Sequence, residues 1–360
     1  MELVIFGAQA IALSTCQAIR KLVPERQVRY FLVSERGKNA DTLAGLPVNE
    51  LTSFAEGLSQ KEKDNTEVLI ATPENIMPEI EKILDDHGLC KHMRYDSVRW
   101  AELMERYFVS TGGFRPLSVL PVGFHKADIR LFMAKFYKDA PLHTDFRVPD
   151  YIKPIQVGAA LCSERVADIV DNEGDQISEK NVNYSELTAL YWIWKNILSG
   201  DGDVKEQYYG LTHYRRILSL SSDDLLRLVD NEVDVVLPYP MSYEPDMEQH
   251  HRKYLRQEDW DALLAALEEL QPEYAESFSS ILRQPYMYHY NIILARGSVL
   301  ADYCSWLFPI LERIEELSVP KGSDRADRYI GYMGETLETL YFMHNRDKLN
   351  ITYSGCRFLV

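Results

Sequence analysis

Two hydrophobic patterns divide this chain: short apolar runs closed by glycine or proline, and longer stretches with apolar residues every three or four positions. Leu3-Val4-Ile5-Phe6, stopped by Gly7, is a run of the first kind and predicts a buried strand. Ile11, Leu13, Ala18, Ile19 and Leu22 recur at helical spacing and predict a helix over 11–22. Val28 to Val33 and Val68 to Pro73 read as further strands, the latter followed by a helix near Asn75 to His87. Strand–helix alternation of this kind predicts a parallel sheet.

Ser110-Thr111-Gly112-Gly113-Phe114-Arg115-Pro116 breaks the pattern and reads as a linker. It divides the chain into a small Rossmann-like parallel-sheet domain, 1–112, and a second α/β domain, 118–360. In the second domain strands are predicted at 119–124, 208–213, 233–238 and 290–294, with a strand or buried turn at 155–161. Helices are predicted at 184–198, 257–270, 298–317 and 326–344. The turn Gly7-Ala8-Gln9-Ala10-Ile11-Ala12 keeps only the first glycine of a G-x-G-x-x-G fingerprint. The second glycine lets backbone approach a pyrophosphate. Dinucleotide binding is therefore not expected, and packing, regulation or a smaller ligand is.

Composition narrows the class. The net charge is −16, from 39 basic and 55 acidic residues, with no basic stripe, so no nucleic-acid partner is expected. No apolar run reaches the roughly 18 to 20 residues of a membrane span. Met1 leads straight into a strand, so no signal peptide is read. Five scattered cysteines fit neither a disulfide framework nor a cysteine zinc site, and a reduced, cytoplasmic setting is expected.

The chemistry concentrates between Asp171 and Arg216. His213-Tyr214-Arg215-Arg216 closes a predicted strand. Paired arginines there suit a diphosphate, because the guanidinium fork matches phosphate geometry. The competing reading is a pair bridging carboxylates. Asp201-Gly202-Asp203 has the form of a divalent-metal motif but precedes the strand, which favours a surface turn. No metal is therefore expected to be required, Mg²⁺ or Mn²⁺ being the alternative. Asp171-Asn172-Glu173-Gly174-Asp175 with Ser178 and Asn181 forms a polar turn suited to a sugar or ribose. Asn183 is placed to cap the helix 184–198 with Glu186 as capping-box partner, so Glu186 is either a cap or a substrate contact. Trp192 and Trp194 read as core before sugar platforms. Asn291 opens an apolar strand and is free to face a ligand. Arg328 and Glu335 lie seven residues apart, hence on one helical face, and Glu335 is the carboxylate chosen as a base.

These motifs together resemble the bacterial family known as domain of unknown function 4422. The matching pieces are His125-Lys126, Tyr151 to Gly158, Asp171 to Ser178 with Asn181, Glu186 to Asn196, Gly210 to Arg216, Asn291, Tyr303 to Phe308 and Arg328 to Glu335. The sequence departs from the family pattern at Ser185, Gln176 and Thr336, where Cys, Asn and Arg are common. The resemblance implies a GT-A-like, nucleotide-sugar-binding α/β domain and a role in capsular or exopolysaccharide biosynthesis. It implies a hexosyltransferase using a UDP-sugar, galactose-type favoured, and a glycan or lipid-linked acceptor, with peripheral contact at the inner membrane face allowed. The alternative is a non-catalytic binding or scaffold subunit. Catalytic roles are expected for Glu335 and His213. Substrate contacts are expected from Arg215, Arg216, Tyr214, His125, Lys126, Asp171, Asn172, Asp175, Ser178, Asn181, Glu186, Asn291 and Arg328.

Overall fold

The computed structural model describes residues 2–200 and 203–360. Its first sheet contains β1 (Glu2–Phe6), β2 (Val28–Val33), β3 (Thr42–Leu43), β4 (Leu46–Glu50), β5 (Thr66–Ile70) and β6 (His92–Arg94), in the order β3-β4-β2-β1-β5-β6. Every pairing is parallel except β3 with β4. Leu3 to Phe6 are all buried, as expected for a parallel strand covered on both faces. Gly7 turns the chain from β1 into the helix Ala10–Leu22. Its φ is +122°, and a Cβ there would stand 2.5 Å from the Ala71 carbonyl oxygen, so only glycine fits.

The helix Ser97–Thr111 runs through the first two residues of the segment read as a linker and ends at Gly112, φ +69°. It is capped by Asp96, whose carboxylate accepts from Arg99 N–H. The residues beyond it are held. Phe114 packs edge-on against Phe108, Tyr286 and Tyr353, and the Arg115 carbonyl accepts from Tyr353 N–H.

The second part carries β7 (Ile129–Lys135), β8 (Ile152–Gln156), β9 (Ile169–Val170), β10 (Tyr208–His213), β11 (Arg216–Leu218), β12 (Val235–Pro238), β13 (Met241–Ser242), β14 (Tyr286–Met287), β15 (Ile293–Arg296), β16 (Ile351–Ser354) and β17 (Cys356–Phe358). The main sheet runs β16-β12-β15-β10-β7-β8-β9, with β11 turned back on β10 and paired with β17. Among the seven, only β15 is antiparallel to its neighbours. The carboxyl ends of β7, β8, β10 and β12 therefore share one edge, where the chain enters β15 through Tyr290 and Asn291. This is the expected pairing of a Rossmann-like sheet with a GT-A-like α/β unit.

Side chains on β7 alternate between two cores. Phe132 and Ala134 join Leu187, Leu190, Leu307 and Phe342 on the helical side, in a cluster that continues to Ile5 and Cys16 of the first sheet. Leu131 and Met133 face Leu225 and Leu228 on the other side.

Two sequence expectations change. The segment 119–124 is not a strand: Phe124 is 94% exposed, and the sheet is entered by β7 instead. The 155–161 segment, read as a strand or buried turn, is the end of β8 followed by a turn of 3₁₀ helix at Ala159–Leu161, as that reading allows. The helix expected from residue 184 is broken. A short turn, Asn181–Tyr184, ends at Ser185 with φ +50°, and the helix proper is Leu187–Asn196. Asn183 caps nothing, because its amide donates to the Gly322 and Arg325 carbonyls.

Candidate functional site

The β10 strand ends at His213, and a two-residue turn returns the chain as β11, with His213 paired to Arg216. That turn presents Tyr214, Arg215 and Arg216 together to a cavity of about 410 Å³ at the carboxyl edge of the sheet. Asn181, Ser185, Glu186, His213 and Arg328 also line it. Among the described residues, no carboxylate lies within 4.0 Å of the Arg215 or Arg216 guanidinium. The Nε of Arg215 is buried without a hydrogen-bond partner. The two side chains rest on aromatic rings instead. The Arg216 Cζ is 4.1 Å from the Tyr290 ring centroid, and the Arg215 Cζ is 5.4 Å from that of Tyr214. Guanidiniums placed this way keep their donors for an incoming anion.

Glu186 faces the same space. Its Oε1 accepts from the Asn291 amide at 2.6 Å, and its Oε2 lies 4.0 Å from Arg328 Nη2. The capping-box role is thus replaced by a bond to the start of β15. His213 Nε2 lies 2.6 Å from the Tyr290 carbonyl oxygen, so that nitrogen carries the proton and donates. Burial pushes the His213 pKa below its ordinary value, against the pull of Glu186. His213 is therefore neutral and has Nδ1 as its free acceptor. Asp139, in the segment after β7, also faces the cavity and accepts from Phe136 N–H at 2.7 Å. Burial raises its pKa. Sequence reading missed Asp139 because it missed β7. The usable signal was the apolar run Leu131 to Ala134 followed by the turn-forming Asp139-Ala140-Pro141.

Other expected residues lie behind or away from the cavity. Asp171 is fully buried, and its carboxylate accepts from Gly158 N–H at 2.8 Å, Ala159 N–H at 3.0 Å, Thr188 Oγ1 at 2.6 Å and Ser178 Oγ. Asp171 and Ser178 therefore hold the turn after β8, and neither lines the cavity. Asn291, 1% exposed, is likewise a support: it donates to Glu186 and to the Gly331 carbonyl. Asp175 accepts from the Tyr191 hydroxyl, and Asn172 Oδ1 is buried unpartnered; neither lines the cavity. His125 and Lys126 precede β7 and sit at the opposite end of the strands, where His125 pairs with Asp230. Glu335 and Arg328 part company because Arg328 is not helical: it is the N-cap, φ +61°, and its Nε donates to Ser185 Oγ. Glu335 lines a second, larger cleft. Of the Asp201-Gly202-Asp203 motif, Asp201, Gly202 and the Asp203 side chain lie outside the described residues.

Among the described residues no group of three or more His, Cys, Asp or Glu is arranged to hold a metal ion. No described helix is long and apolar enough to cross a membrane.

Sheet order and cavity together define a protein of the GT-A-like α/β class. The chain belongs to the DUF4422 family, described as a domain of unknown function, with residues 140–346 matched. Among solved structures it is similar to the apo form of the bifunctional glycosyltransferase WbbM, at 25% identity and a TM-score of 0.53. That match covers 64% of this chain and 45% of the WbbM chain, so this chain spans less than half of its relative. The methyltransferase FkbM from Methylobacillus flagellatus KT matches at 12% identity over 68% of this chain and 87% of its own. Its TM-score of 0.25 supports no functional argument. No curated protein matches the chain.

Proposed function

We propose that this protein is a glycosyltransferase that moves a hexose, galactose-type favoured, from a UDP-sugar to a glycan or lipid-linked acceptor in capsular or exopolysaccharide synthesis. The observation that carries the reading is the pair Arg215 and Arg216, without a carboxylate partner among the described residues of a strongly acidic chain, at the carboxyl edge where α/β sheets bind ligands. The similarity to a bifunctional glycosyltransferase supports the same reaction class.

In this reading the arginines hold the diphosphate and neutralise charge on the departing UDP, so that no divalent metal is required. Glu186, His213 Nδ1 and Asn181 face the donor sugar. The bond from the anomeric carbon to the UDP oxygen breaks, with its electron pair leaving on UDP. The acceptor oxygen forms the new bond, and its proton passes to a carboxylate, Glu335, in an inverting displacement.

Release of UDP from UDP-galactose and related UDP-hexoses, followed without acceptor, tests the reading. Slow hydrolysis of at least one donor is expected, lost in Arg215→Ala with Arg216→Ala. UDP binding without hydrolysis or transfer of any donor would make the chain a binding subunit.

A further inference from the structure

The larger cleft, about 1250 Å³, opens between the two sheets. One wall is the carboxyl edge of the first sheet: the turn after β1, Ser34 after β2 and Thr72 after β5. The Thr72 hydroxyl is buried there with no hydrogen-bond partner among the described residues. The facing wall is aromatic. Tyr254 and Tyr332 have ring centroids 5.7 Å apart, and Tyr254 is 55% exposed. The walls are tied together by Ser242 N–H donating to Ser14 Oγ at 3.1 Å, so the cleft is preformed. Glu335 also lines it, held by a relay. His289 Nδ1 lies 3.4 Å from Glu335 Oε2, and His289 Nε2 lies 2.7 Å from the Tyr243 hydroxyl. A carboxylate only accepts, so Nδ1–H faces Glu335 and Nε2 accepts from the Tyr243 hydroxyl.

We infer that this cleft is the acceptor site and takes an unphosphorylated oligosaccharide, with the first sheet as one of its walls. The inference rests on the transferase reading above and deepens it. The exposed Tyr254 ring offers a flat face to the C–H side of sugar rings, while Glu335 and Glu35 offer acceptors to hydroxyls. The charged lining is Lys38 and Lys253 against Glu35, Glu79 and Glu335, which suits a neutral ligand better than a phosphate. The volume exceeds the roughly 300–1,000 Å³ of an ordinary small-molecule site and leaves room for several sugar rings.

Tyr290 joins the two cavities. Tyr290 lines the cleft, its ring carries Arg216, and its carbonyl accepts from His213. Tyr290 and Asn291 are consecutive non-glycine residues at φ +71° and +50°, a local strain of the kind that fixes functional geometry. The strained pair fixes Tyr290 between the cleft and the Arg216 and His213 lining of the donor cavity, beside the path an acceptor hydroxyl takes to the anomeric carbon.

The test is a printed array of unphosphorylated bacterial-surface oligosaccharides, probed with labelled full-length chain. Wild type is expected to bind at least one glycan. Tyr254→Ala, which removes a stacking face, and Ser34→Trp, which fills the cleft from the first sheet, are each expected to weaken that binding tenfold or more. A UDP titration on the same preparations reports on folding and on the donor cavity. Absence of any glycan bound by wild type, or binding that persists in either variant, overturns the acceptor assignment and leaves the donor reading standing. Glycan binding with no UDP binding by wild type overturns the donor reading and keeps the cleft.

Discussion

Replacing Asp171 by alanine separates a supporting residue from a ligand contact. The buried carboxylate accepts four hydrogen bonds, from two backbone N–H groups and two hydroxyls. Thr188 has a second acceptor, the Ser185 carbonyl at 3.1 Å, and the Ser178 hydroxyl can rotate. The Gly158 and Ala159 N–H groups have no such escape. An orphaned buried donor costs about 1–3 kcal/mol, and breaking a buried charged network about 3–5 kcal/mol. Asp171→Ala should therefore destabilise by about 3–5 kcal/mol. At roughly 1.3 °C per kcal/mol for a chain of this size, that lowers Tm by about 4–7 °C. Asp171→Asn keeps one acceptor oxygen and should lose about half as much. Thermal unfolding followed by circular dichroism measures both. A shift below 2 °C with a large loss of UDP affinity would refute the structural assignment and return Asp171 to the ligand.

Three further outcomes are expected. Glu338 is fully buried with neither carboxyl oxygen hydrogen-bonded among the described residues, and burial raises its pKa well above the ordinary value, so it folds protonated. An acid with a raised folded pKa loses stability as pH rises above its unfolded value, up to about 1.4 kcal/mol per pH unit. Glu338→Met should therefore raise the urea midpoint at pH 8 and give a smaller gain at pH 5; an equal gain at both would contradict a protonated Glu338. Gly158→Ala places a Cβ 2.9 Å from the Asn181 side chain at φ +62°, and should lower stability by at least about 1–2 kcal/mol in chemical denaturation. His125→Ala should leave UDP affinity within about twofold by calorimetry, since His125 sits at the far end of β7.

Much of the fold is legible where a local pattern and the tertiary setting agree. The β2 and β10 strands and the helix Gln257–Leu270 fall where their apolar periodicity puts them. The cavity is legible in part, because a strand end carrying His213 to Arg216 needs only the sheet direction to place it. The β7 strand was hidden by Val119 to Phe124, whose apolar residues look like a strand. There the chain meets the sheet where Pro116 bridges to Tyr353, turns through the 3₁₀ helix Leu117–Val119, passes Pro121, and the strand follows after His125. Asp171 misleads for another reason. A polar turn shows its hydrogen-bonding capacity in sequence, but whether backbone N–H groups 13 residues upstream consume it depends on the folded path. The break at Ser185 has no periodic signature: the helical pattern runs on through it, and the bond from Glu186 to Asn291, 105 residues away, sets its geometry.

Calorimetric titration of UDP into wild type, Arg215→Lys, Arg215→Ala, Arg216→Lys and Arg216→Ala, each with and without chelator, tests the donor site most directly. A hydrogen bond to a charged group is worth roughly 1.5–3 kcal/mol. Wild type should bind UDP equally with and without chelator, lysine should weaken binding because it keeps the charge and loses the fork, and alanine should weaken it about ten- to hundredfold. Unchanged affinity in both alanine variants, or binding abolished by chelator and restored by Mn²⁺, would contradict the arginine clamp.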